Sequence, residues 1–279
     1  RYDGDAEVRG DIIIDATGPA APLARALGVS QLRRDRQAIG IEFECEGVDL
    51  DHPGYADLHR AMMLRLDHSV APGGYSWIFH TGGDTAKVGV CYIQNASHRR
   101  RAVDGMTIDD YLEYWMARDP RFADATRLET KQHRGSAHIQ PPTGLSTDNF
   151  MAIGDTVPTI DPLWGEGIHT GMRSARAAAA AADHCLTRSD RDTSAARLSV
   201  YDTLWHRDAA PNMQRRLLLT ELLYLADDAR YDRFMRDLRR ADGDVLARAN
   251  QGDWRAMARL LHLSDLPMLG RLVRSRLAG

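Results

Sequence analysis

A chain of 279 residues that is 43% hydrophobic has material for a sizeable core and for more than one subdomain. Its net charge of −3 gives no electrostatic pull toward nucleic acid, and no run of about eighteen apolar residues marks a transmembrane span. Cys45, Cys91 and Cys185 are widely spaced without a CxxC partner, which argues against a disulfide scaffold or zinc site and for a reducing, cytoplasmic compartment.

In chain order, Arg1 to Val8 reads as the tip of a β-hairpin, with Asp3-Gly4 or Gly4-Asp5 as its turn. Asp11-Ile12-Ile13-Ile14-Asp15 predicts a strand covered on both faces, because three β-branched residues in a row show no alternation. Ala16-Thr17-Gly18 follows. Three small residues after a buried parallel strand let the chain skirt a bulky ligand, although an ordinary strand-to-helix turn explains them equally well; a short helix is expected over Ala21 to Leu27. Ala38 to Cys45 alternates apolar and polar side chains after Ile39, as a half-exposed antiparallel strand would. Met62–Leu66, Tyr75–Phe79, Ala86–Tyr92 and Glu129–Ile139 are further strands, with a hairpin turn at Thr81 to Thr85. Period-two spacing puts Tyr75, Trp77 and Phe79 on one strand face, where rings either form a core, their commoner use, or meet a long apolar ligand. Thr107 caps a helix running through Ala117, with Asp109 and Asp110 in its first turn and Asp119-Pro120 as its stop.

Met151 to Met172 is the most informative stretch. Phe150 to Ile153 suits a buried strand, and Gly154 allows close backbone approach to a ligand. Asp155 then stands at a strand end, placed to accept hydrogen bonds from a sugar-like hydroxyl. Pro162 marks a turn or helix start, and Gly165 and Gly167 offer backbone N–H groups before a helix whose dipole favours negative charge. A reduced flavin carries such charge near N1 and O2, so the ordered block reads as a flavin grip. Gly165 to Gly171 is spaced GxGxxxG without a strand before it, which fails the context of a dinucleotide fingerprint. Glu166 to Leu186 predicts a long helix with Arg173 and Arg176 on its wetter side, and His169 in its first turn reads as a hydrogen-bonded structural histidine before it reads as a ligand contact. No catalytic acid and no metal-ligand set emerges. Thr193 to Gly279 is helical and ends in a basic amphipathic tail, Pro267 to Leu277, read as a solvated helix packed by its leucines ahead of a membrane-docking one.

These blocks resemble the Ala-Thr-Gly and Gly-Asp motifs of flavoproteins in the aromatic hydroxylase and glutathione reductase superfamily. Within it, Gly73 to Phe79 followed by Val88-Gly89-Val90 resembles the geranylgeranyl reductase family, whose pattern is Tyr-x-Trp-x-Phe-Pro and then Gly-x-Gly. The chain keeps Tyr75, Trp77, Phe79 and Gly89, with His80 in place of the proline and Cys91 in place of the second glycine. Asp161-Pro162-Leu163 with Gly165, Gly167 and Ile168 is similar to the family's Asp-Pro-Leu-x-Gly-x-Gly-Ile stretch. The resemblance covers most of residues 1–205 and is weak beyond.

The resemblance implies an α/β (α+β) fold: a partial FAD-binding Rossmann-like domain in segments 1–30 and 146–192, an inserted antiparallel-sheet substrate domain over 31–145, and a C-terminal helical region over 193–279. It implies FAD held by Ala16, Thr17, Gly18, Gly154, Asp155, Pro162, Gly165, Gly167 and Ile168, with Asp155 on the ribityl chain and Gly167 and Ile168 beside the isoalloxazine. Tyr75, Trp77 and Phe79 would line a lipid channel. Family members saturate isoprenoid double bonds of prenyl lipids, with electrons from NAD(P)H or a ferredoxin-like donor, and the lipid keeps peripheral membrane contact through the C-terminal helices open. The family's opening strand, GxGxxG turn and ribose-binding acid have no counterpart here, so the chain is expected to be the C-terminal part of a longer flavoprotein or a truncated product. The rival readings are a monooxygenase or halogenase of the same superfamily and a non-catalytic fragment. A halogenase would also want a catalytic lysine, and neither Lys87 nor Lys131 sits in such a setting.

Overall fold

A computed structural model describes residues 9–262, 265–267 and 269–270. The hairpin expected over residues 1–8 and most of the tail 267–277 lie outside the described residues. In chain order the elements are β1 (Ile13–Asp15), α1 (Pro22–Ala26), β2 (Gln37–Glu46), β3 (Met63–Arg65), β4 (Gly74–Gly82), β5 (Thr85–Ile93), α2 (Ala96–Arg101), α3 (Ile108–Met116), β6 (Thr126–His138), β7 (Ser146–Thr147), β8 (Phe150–Ala152), α4 (Ile168–Leu186), α5 (Ala195–Leu198), α6 (Val200–Leu204), α7 (Met213–Leu225), α8 (Asp228–Leu238), α9 (Gly243–Asn250) and α10 (Trp254–Arg259). Two compact units emerge, each from two pieces of chain: the chain up to Leu32 with His138–Gln214, and Arg33–Ala137 with the chain from Arg215 onward.

The first unit carries a sheet of order β1-β8-β7. β1 runs parallel to β8, pairing Ile13 with Phe150, Ile14 with Met151 and Asp15 with Ala152, so the two strands end at the same level. The alanines of α4 make its packing face: Ala177, Ala178, Ala181 and Cys185 cluster with Phe150 and Met151 of β8 and with Leu198, Tyr201 and Trp205. Small side chains there let helix and sheet approach closely, and each large residue so buried contributes about 1.5–3 kcal/mol. The isoleucine run departs from its expected burial. Among the described residues Ile13 is 54% and Ile14 44% exposed, since β1 has a partner strand there on one side only and the unit's core gathers on β8, all of whose residues are buried.

The second unit carries the sheet β3-β4-β5-β2-β6, with β3–β4, β4–β5 and β2–β5 antiparallel. Alternation decides its two faces. Ile41, Phe43 and Cys45 of β2, Ile78 of β4 and Val88 and Val90 of β5 point to one side and pack under Ile108, Tyr111, Leu112 and Trp115 of α3. The α3 N-terminus is fixed by a capping box in which Thr107 and Asp110 satisfy each other's backbone N–H groups. Residues 193–279, read from sequence as one region, divide between the units: Leu198, Tyr201 and Trp205 belong to the α4 core, whereas Leu222, Ala226 and Tyr231 cluster with Leu66 in the second unit. No described helix is long and apolar enough to cross a membrane.

Candidate functional site

In the first unit, the level ends of β1 and β8 send two turns out side by side, as at the carboxyl edge of any parallel pair. The Ile153 N–H donates to the Asp15 carbonyl at 3.0 Å, and the Gly18 N–H donates to Thr156 Oγ1 at 3.0 Å, joining positions 138 residues apart. The Ala16-Thr17-Gly18 turn is tied by the buried Asp15, whose carboxylate accepts from the Thr17 N–H at 2.9 Å, the Thr17 hydroxyl at 2.7 Å and the Ala24 N–H at 3.3 Å. Sequence reading missed Asp15 as an organiser; its signal is the Asp-x-Thr spacing of an Asx turn.

Gly154 turns the chain at a φ of 59°, a conformation that favours glycine. Its N–H donates to Ser174 Oγ at 3.3 Å; Ser174 Oγ lies 2.6 Å from the Tyr201 hydroxyl, which donates to the Ala152 carbonyl at 2.9 Å. This relay fastens the elbow to α4 from behind. In front stands Asp155. Burial pushes its carboxyl above the usual carboxylate range, and among the described residues none donates a hydrogen bond to it. A desolvated carboxylate without donors is suited to ligand hydroxyl groups.

The start of α4 closes this hollow. A Cβ at Gly167 would stand 3.5 and 3.6 Å from the Asp155 oxygens, and one at Gly171 would touch Gly154 Cα at 3.7 Å, so the first helical turn lies directly against the elbow. Gly167 precedes the helix without a side-chain cap, with the Asp155 carboxylate beside the dipole's positive end. Ile168 is 84% and Met172 69% exposed; spaced i and i+4, they form an apolar strip on one helix face. Met172 escaped the sequence reading, although its spacing from Ile168 was available. Pro162 is buried in the turn before α4, where the Asp161 carboxylate accepts from the Leu163 N–H at 2.9 Å. Gly165, expected to offer its N–H to a ligand, instead donates it to the Asp161 carbonyl at 3.0 Å; its contribution is the positive φ of 72° that closes the turn. His169, expected to be hydrogen-bonded within the structure, is exposed, with Glu166 3.6 Å away.

In the second unit, Tyr75, Trp77 and Phe79 line the β4 face opposite the core, half-buried, with successive ring centroids 5.8 and 6.2 Å apart. The Trp77 indole lies over Gly89, its cross-strand partner, where any Cβ would overlap the ring and stand 2.7 Å from the Ile41 carbonyl oxygen. The indole N–H donates to Glu42 Oε2 at 2.8 Å, and Glu42 in turn pairs with Lys87 at 3.3 Å. Glu42 too was missed, since its partner lies 35 residues away on another strand.

The geranylgeranyl reductase catalytic domain profile matches residues 48–132, within the unit that carries the aromatic row. The chain is similar to a digeranylgeranylglycerophospholipid reductase of Haloferax volcanii, 64% identical over 269 residues that cover 96% of this chain and 66% of the relative. It is also similar to the reductase of that name from Methanoculleus marisnigri, at 28% identity over 81% of this chain and 53% of the relative. The chain thus spans roughly half to two thirds of the curated relatives' length. Among solved structures, a geranylgeranyl bacteriochlorophyll reductase-like protein from Thermoplasma acidophilum superposes with a TM-score of 0.69 at 22% identity, covering 81% of this chain and 53% of that one. A flavin-dependent brominase superposes at 0.65 with 20% identity, covering 97% and 66%. At such identities the two structures speak for the fold alone.

Proposed function

Because the chain belongs to the geranylgeranyl reductase family, we propose that it is the larger part of an FAD-dependent reductase that saturates isoprenoid double bonds of a prenyl glycerophospholipid. The observation that carries the flavin assignment is the meeting of the Ala16-Thr17-Gly18 turn with the Gly154-Asp155 elbow through the Gly18 to Thr156 hydrogen bond. Asp155, without a donor among the described residues, would accept from the ribityl hydroxyls; Gly167 and Ile168, with Met172, would abut the ring system, and the α4 N-terminus would favour its negative charge. When bound, FAD supplies two-electron reducing power taken from NAD(P)H or a ferredoxin-like protein. Tyr75, Trp77 and Phe79 would hold the apolar chain of the substrate, with Glu42 keeping the indole flat. A cytoplasmic protein that meets its lipid at the membrane surface fits this reading.

Within this chain Lys87 pairs with Glu42 at 3.3 Å and Lys131 with Glu44 at 2.6 Å, and experiment separates the reductase from the halogenase alternative. The test is anaerobic reduction of the full-length, flavin-loaded protein followed by mixing with a prenyl glycerophospholipid. Flavin reoxidation with a saturated lipid product is expected. Reoxidation only on admitting oxygen, with no saturated product, would assign the protein to the oxygen-using flavoenzymes instead.

A further inference from the structure

Cross-strand register arranges the aromatic face in three rows: Gly40, Cys91 and Tyr75; Glu42, Gly89 and Trp77; Glu44, Lys87 and Phe79. The Phe79 row carries charge beside its ring. The Trp77 row is a glycine floor with an indole laid on it. At the Tyr75 row the floor rises, because Cys91 puts a side chain where Gly89 has none, on the same face and directly opposite Tyr75. Tyr224 of α7, only 4% exposed, stands beside both Cys91 and Tyr75. Burial pushes the Cys91 thiol up to about 12, against the opposing effect of its hydrogen bonds with Tyr75, so it stands as a neutral thiol and not a nucleophile.

We propose that Cys91 and Tyr224 form an end-stop at the Tyr75 end of the aromatic row, setting the length of isoprenoid chain that the row accepts. The inference rests on the reading that this row holds the lipid chain. A chain lying along Phe79 and Trp77 runs over the indole seated on Gly89 until it meets the Cys91 side chain, with Tyr224 beside it. Its terminal isoprene then has nowhere to go. Removing the Cys91 side chain extends the floor of Gly89 by one row, so a longer chain gains burial there while a shorter one gains nothing.

The test is calorimetric titration of the full-length, flavin-loaded protein with prenyl alcohols lengthened one isoprene unit at a time. The parent should show a sharp optimum. Cys91→Gly should shift it to a longer alcohol, tightening that ligand about fourfold for each methylene newly buried, while leaving shorter ones unchanged. Cys91→Met should shift it to a shorter alcohol. Cys91→Ala gives the same sign as the glycine variant with less perturbation of β5, and Tyr224→Leu should also relax the limit. An unchanged preferred length across folded, flavin-retaining variants would overturn the end-stop while sparing the lipid assignment. A parent that binds no prenyl alcohol would overturn the lipid assignment itself, and the end-stop with it.

Discussion

At Tyr201 one hydroxyl governs the shape of a turn it does not belong to. It donates to the Ala152 carbonyl and meets Ser174, which accepts from the Gly154 N–H, so the polar groups on either side of Ile153 are held by one relay. Tyr201→Phe leaves buried partners unsatisfied and should cost about 1–3 kcal/mol, seen as a lower urea midpoint, with weaker flavin retention because Asp155 follows Gly154 directly. Phenylalanine that unfolded at the parental midpoint would show the relay to be idle. Asp155 itself offers a pH signature. Its pKa in the free protein is raised by burial, so ionisation costs stability: the unliganded fold is favoured at acid pH and loses that advantage as pH rises through the raised value. Ligand hydroxyls stabilise the ionised form, so flavin affinity should climb over the same interval, and Asp155→Asn should flatten the climb. An equally steep profile in the asparagine variant would place the titrating group elsewhere.

Strands and helices repeat the lesson with more residues. Alternation in Ala38–Cys45, the glycine-rich hairpin turn and the Thr107 cap were legible because each is decided by neighbours in sequence. The Gly154-Asp155 block was legible as a shape, a strand, an elbow and a helix start, for the same reason. What escaped reading depends on distant partners: Asp15 gathering a turn, Ser174 and Tyr201 bracing an elbow, Glu42 holding an indole. The exposed Ile13 and Ile14 escaped as well, since a β-branched run announces a strand but not what covers it. Gly89 shows why a strand tolerates a glycine at a cost in propensity: the Trp77 ring occupies the space of its missing side chain. Gly89→Ala should therefore destabilise by about 1–3 kcal/mol through overpacking. In a Trp77→Ala background part of that loss should disappear, the remainder reflecting the Ile41 carbonyl oxygen at 2.7 Å. Strict additivity of the two substitutions in thermal unfolding would contradict the stacking.

Across the whole molecule, both units are assembled from separated pieces of chain, so each depends on tethers that no local pattern reveals. In the second unit the segment from Arg215 onward is tied to the sheet by Arg36 with Glu221 at 2.5 Å, by Arg101 donating to the Ala226 carbonyl at 3.1 Å, and by His68. His68 is the titratable tether. Its Nε2–H donates to the Ala226 carbonyl at 2.7 Å while Nδ1 accepts from the Gly73 N–H at 3.2 Å, an arrangement open only to the neutral ring. Burial lowers its pKa foremost; the hydrogen bond to the Ala226 carbonyl opposes this, Arg101 adds to the lowering, and Asp228 and Asp67 oppose it; the Tyr231 ring packs alongside. With a folded pKa below the ordinary 6.5, the stabilisation is complete above that value and drains away as pH falls through it toward the folded pKa. Protection at Gly73 and along α7 and α8, taken as exchange relative to the intrinsic amide rate at each pH, should accordingly weaken as pH falls below the ordinary 6.5, before the carboxylates titrate. His68→Gln, which keeps a donor and an acceptor but cannot charge, should remove the weakening without abolishing the fold. Protection that weakened equally in the glutamine variant would move the switch to another group and leave His68 a fixed strut.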